Sequence, residues 1–157
     1  MPTRSRRAQT AFSLVELLVV LVIMGTLAAI AIPSYRQYLL ENEYALAERD
    51  IAEMSMAIER FHTENGTYPA TLAALPAGLA TTDPWGNDYQ YLAIEATPAP
   101  APGKIRRDKN MNPLNSDYDL YSMGPDGDTQ TQLTAAKARD DVVRAGNGGF
   151  IGMASEH

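Results

Sequence analysis

The chain has 157 residues, 13 of them basic and 19 acidic, for a formal charge of −6, and it contains no cysteine. That length suits one small domain, the lack of cysteine excludes disulfides and thiol nucleophiles, and the acidic balance argues against the basic face that nucleic-acid binding needs. With His62 and His157 the only histidines, and with Ser13, Ser34, Ser55, Ser116, Ser122 and Ser155 outside any nucleophile elbow, no enzymatic site can be built from the sequence.

Arg4, Arg6 and Arg7 form a basic leader, which favours a cytoplasmic N-terminus during membrane insertion. From Leu17 to Ile32 every residue is apolar, small or Thr, so a helix here would sit in bilayer hydrocarbon. Glu16 stands alone against this run, because the next charge is Arg36. An ionised carboxylate at that place is strongly unfavourable without a partner. A secretory signal peptide or simple one-pass anchor is the competing reading, with Ala29-Ile30-Ala31 as its small-x-small cleavage site. Against it, Glu16 is misplaced for an apolar core, and the helical pattern runs through Pro33 to Asn65 without a mature start.

The basic leader followed by Thr10-Ala11-Phe12-Ser13-Leu14-Val15-Glu16 resembles the class III signal of type IV pilins and type II secretion pseudopilins. The resemblance implies cleavage by a prepilin peptidase between Ala11 and Phe12 and N-methylation of Phe12. Where the family favours Gly before the cut, this chain has Ala11, still a small residue. Glu16 would pair with the N-terminal amine of a neighbouring subunit and set the register of a filament, since a buried lone ion drives the subunit to seek its complement. Removal of residues 1–11 takes away three basic residues and no acidic one, leaving ten against 19 and a charge of −9.

Pro33 lacks an amide N–H and is expected to kink or locally melt the helix between Gly25 and Pro33. Beyond it, Ala47, Ile51, Met54, Ile58 and Phe61 recur at helical spacing and define one apolar face, read as the core contact of the domain rather than a partner-helix surface. Asn65-Gly66 is a helix stop. Asn65-Gly66-Thr67 also fits the N-glycosylation pattern, but the stop explains it without an enzyme. Thr71 to Leu75 is expected to form one short helical turn.

Asp83-Pro84-Trp85-Gly86-Asn87-Asp88-Tyr89-Gln90-Tyr91 then reads as a turn, a large apolar anchor and a strand with Tyr89 and Tyr91 on one face. It resembles the Asp-Pro-Trp-Gly element of major pseudopilins. Thr97 to Gly103 is Pro-rich and should be extended. The basic run Lys104, Arg106, Arg107 and Lys109 follows, read as a solvated loop, with contact to an acidic partner or a neighbouring subunit as the alternative. The 97–116 segment is longer than the resemblance leads one to expect.

A second strand, Tyr118 to Met123, leads into Gly124-Pro125-Asp126-Gly127-Asp128, similar to the calcium-site signature of the major pseudopilins. The resemblance implies calcium held by the Met123 carbonyl, Asp126, Asp140 and Asp141, calcium being a hard ion that takes six to eight oxygens. The alternative is an unmetallated acidic turn, with Leu133 to Arg139 helical and Asp140 and Asp141 on its solvated face. An EF-hand is excluded, because Lys137 stands where its bidentate Glu is required.

The expected architecture is α+β and type IV pilin-like: a long N-terminal helix packed on a small antiparallel sheet. Its segments are a cleaved leader (1–11), a transmembrane and polymerisation helix (12–35), an amphipathic helix (36–66) and a periplasmic β-domain with a calcium-type loop (67–157). The resemblance implies a homopolymeric subunit of the type II secretion pseudopilus in the bacterial inner membrane, with minor pseudopilins, the inner-membrane secretion platform and the prepilin peptidase as partners. A type IV pilus subunit for adhesion, motility or DNA uptake, or a tethered periplasmic module that never polymerises, are the alternatives.

Overall fold

A computed structural model describes residues 13–95 and 98–157. The chain divides into two units, Met1–Leu40 and Glu41–His157. The leader, Ala11, Phe12 and Thr97 lie outside the described residues.

Helix α1 runs over Leu14–Asn65. Its first part is long and apolar enough to cross a membrane, and the side chains from Leu14 to Ile32 are exposed. The expected melting at Pro33 does not occur, for helix is continuous through Gly25 to Pro33. Proline removes only one N–H from the ladder. One turn of that ladder gains a second donor, as the Ser34 hydroxyl bonds to the Ile30 carbonyl at 3.0 Å.

In the second unit, Ala47, Ile51, Met54, Ala57 and Ile58 are the buried face of α1, while Phe61 is half-buried at its end. Each fully buried Ile or Met stabilises the fold by roughly 1.5–3 kcal/mol. They meet a four-stranded antiparallel sheet in the order β1 (Gln90–Ala93), β2 (Tyr118–Ser122), β3 (Val142–Ala145), β4 (Phe150–Met153). The β1–β2 register sets Gln90 opposite Tyr121 and Ala93 opposite Tyr118. Strands β3 and β4 form a hairpin over Gly146–Gly149 that the sequence reading did not assign. Its turn has positive φ at Gly146, Asn147 and Gly148, a conformation glycine takes without a Cβ clash.

Side chains alternate across the sheet. Tyr118, Leu120 and Val142 pack with Tyr89 against α1. Val143 and Ala145 pack on the other face with Leu114 and Leu133, flanked by Tyr121, Met111 and Phe150. The long β1–β2 and β2–β3 connections thus supply a second covering layer. They are joined to each other where the Arg107 amide bonds to the Thr131 carbonyl at 2.9 Å and Leu133 bonds back to Arg107 at 3.0 Å. The segment Leu133 to Arg139 holds only one 3-10 turn, Ala136–Ala138, so Asp140 and Asp141 are not on a helix face.

Candidate functional site

Two places carry the residues singled out by the sequence. At the start of α1, the Ser13 amide donates to Glu16 Oε2 at 2.9 Å, and the Glu16 amide donates to Ser13 Oγ at 3.1 Å. This reciprocal pair is a capping box, which satisfies two helix-end amides. The Ser-x-x-Glu spacing was its signal. Glu16 therefore has a local partner in the single chain, while the amine proposed for it lies at Phe12, outside the described residues.

The second place is the turn after β2. Asp83 organises it from the Trp85 element: its Oδ1 accepts the amides of Trp85 (3.1 Å) and Asn87 (2.8 Å), and its Oδ2 accepts the Ser122 hydroxyl (2.5 Å). Ser122 Oγ in turn accepts the Gly124 amide, and Asn87 Nδ2 donates to the Gly124 carbonyl, both at 3.0 Å. Gly124 has φ 68°, and a Cβ there would stand 2.4 Å from the Asp140 carbonyl oxygen. Only glycine permits this close approach of the turn to the acidic pair.

The four expected ligand residues have different surroundings. Met123 is half-buried and Asp126 is exposed, with its Oδ1 accepting the Asp128 amide at 2.8 Å. The Asp140 carboxylate lies against Gly124. Asp141 is fully buried, and its Oδ2 accepts from the Arg106 guanidinium and from the Thr129 hydroxyl at 2.5 Å, while its Oδ1 has no hydrogen-bond partner. Burial pushes the Asp141 carboxyl above its ordinary pKa, against the opposing pull of Arg106 and Thr129. Burial, and then the charges of Asp140, Asp126 and Asp141, also raise the Tyr44 phenol. The three acids therefore share one neighbourhood. Among the described residues, however, no three His, Cys, Asp or Glu side chains are set to share an ion.

Arg106 was read as part of a solvated run, and the structure corrects this: it is 2 % exposed. Its guanidinium stacks on the Tyr121 ring at 3.9 Å and donates to Thr129 Oγ1 at 2.9 Å, and its amide donates to Asp119 Oδ2 at 2.8 Å. Lys104, Arg107 and Lys109 remain exposed. No local sequence signal distinguished Arg106 from these neighbours. A second buried pair, Arg144 with Asp117, was equally unmarked.

Comparison with known proteins bears on the start of α1 and on the chain as a whole. Residues 6–32 match the prokaryotic N-terminal methylation motif. The type II secretion system core protein G of Pseudomonas aeruginosa is 31 % identical over 142 residues, covering 78 % of this chain and 87 % of that protein. The chain belongs to this family, the major pseudopilins. The core protein G of Vibrio cholerae is 29 % identical over 152 residues, 85 % of this pseudopilin and 92 % of the relative. Fimbrial protein EcpC of Eikenella corrodens is 35 % identical over 77 residues, 49 % of each chain. No solved structure matches. The pseudopilin is a non-enzymatic, membrane-anchored subunit with an α+β, type IV pilin-like fold.

As arranged here, the residues of the turn do not fit calcium. The ion needs six to eight converging oxygens. Asp126 is exposed with one oxygen bonded to the Asp128 amide, one Asp141 oxygen already holds a guanidinium, and among the described residues no three acids are set to share an ion. A second cation bound to Asp141 would also meet the charge of Arg106.

Proposed function

We propose that this pseudopilin is inserted in the inner membrane through α1, with Glu41–His157 in the periplasm, and is cut between Ala11 and Phe12 by a prepilin peptidase. N-methylation of Phe12 follows, and identical subunits then polymerise through their apolar helices into a periplasmic pseudopilus that drives export of folded proteins across the outer membrane. Minor pseudopilins and the inner-membrane secretion platform are its partners. The observation that carries this reading is the likeness to core protein G over most of both chains, joined to an exposed apolar helix start bearing one carboxylate.

The fimbrial match supports a second reading, a type IV pilus subunit exposed outside the cell. Deletion of the gene separates the two. Loss of secreted proteins from the medium, restored by the wild-type chain but not by Glu16→Ala, is the expected result. Intact secretion with loss of surface fibres points instead to the pilus. Normal filaments and normal secretion from Glu16→Ala refute the role assigned to Glu16.

A further inference from the structure

We propose that Arg106 is the resident cation of this domain, and that the loops after β2 hold their shape through it without calcium. Asp141 directly precedes β3 and is fully buried, and a carboxylate there needs a positive partner. That partner comes from the unusually long β1–β2 connection. One guanidinium joins three separate parts of the chain: Asp141 immediately before β3, Thr129 earlier in the β2–β3 connection, and Tyr121 on β2.

The backbone of Arg106 is fixed as firmly as its side chain. Its amide donates to Asp119 Oδ2, and its carbonyl accepts the Leu114 amide, both at 2.8 Å. Asn115 Nδ2 holds the other Asp119 oxygen at 3.0 Å, so the carboxylate that positions Arg106 is itself positioned. An arginine suits this task because its planar fork stays charged and stacks on an aromatic face while bonding a carboxylate. A covalently attached cation is also always present. Its effect does not follow ion concentration, whereas a bound metal stabilises only by mass action.

The test is thermal unfolding of the full chain in detergent micelles, followed by near-UV circular dichroism, with chelator and then with millimolar calcium. The proposal expects the same Tm in both for the wild type. Arg106→Gln leaves Asp141 buried without its partner and lowers Tm by roughly 10 °C or more. Thr129→Val removes one contact to the same oxygen and gives a smaller fall, equally indifferent to calcium. Should Arg106→Gln fail to fold, the wild-type and Thr129→Val measurements decide alone. A wild-type Tm that rises with calcium and falls with chelator overturns the proposal, as does an Arg106→Gln protein with unchanged Tm.

Discussion

Trp85 donates its indole N–H to the Glu43 carboxylate at 2.9 Å, across 42 positions of sequence. The same ring meets Tyr44 edge-on with centroids 4.9 Å apart. The Asp83 turn that carries Trp85 also holds Ser122, so one short element ties α1 to the end of β2. Trp85→Ala should therefore destabilise the domain by about 2 kcal/mol, below the range for a fully buried ring because Trp85 is half-buried. Trp85→Phe keeps the contact with Tyr44 but not the donor, and should cost about 1 kcal/mol. Urea unfolding followed by far-UV circular dichroism measures both.

The Arg144–Asp117 pair makes a different prediction. Its two N–H···O bonds measure 2.9 and 2.6 Å, and the guanidinium lies 3.9 Å over the Tyr118 ring, with Glu59 at 3.7 Å. Asp117→Asn leaves a buried charge half-paired and should cost about 3 kcal/mol. Replacing both partners, Arg144→Met with Asp117→Leu, removes the buried charge and should cost less than the single change. A double-mutant cycle on the urea midpoint checks the sign of this coupling.

Three tyrosines make the fold sensitive to alkali. Burial is the first cause raising the pKa of Tyr89, Tyr91 and Tyr118, with the Asp50 charge and hydrogen bond adding to it at Tyr89. A group whose folded pKa lies above its unfolded value binds more protons when folded, so stability falls as pH rises. The contribution is fully present below the unfolded value of about 10 and is lost above it. Absorbance of tyrosinate should rise in two stages, the later one coinciding with loss of near-UV circular dichroism. A single smooth titration with the fold intact would refute this.

How far the sequence revealed these features depended on how local their causes are. The apolar stripe of Ile51, Met54 and Ile58 and the strand beginning near Tyr89 follow from periodicity, and both were legible. The hairpin of β3 and β4 was not, because Val142 to Ala145 is buried on both faces and shows no alternation. Arg106 was illegible for a stronger reason: its partner Asp141 stands 35 residues away, and nothing in a basic run shows which member turns inward. The Ser13–Glu16 capping box, by contrast, has a local cause, the Ser-x-x-Glu spacing, and is legible from it.

That capping box bears on the last prediction. Glu16 has two possible uses, a local bond to the Ser13 amide and a bond to the amine of another subunit. Ser13→Ala removes the hydroxyl that caps the helix and should cost about 1 kcal/mol of local helix stability, while leaving the carboxylate free to bond elsewhere. Glu16→Ala removes both uses, and it makes the helix start more apolar, so insertion should be intact. Membrane fractionation and the yield of shear-released filaments should then separate the variants: both in the membrane, filaments retained by Ser13→Ala and lost from Glu16→Ala. Equal loss from the two would assign Glu16 to capping alone.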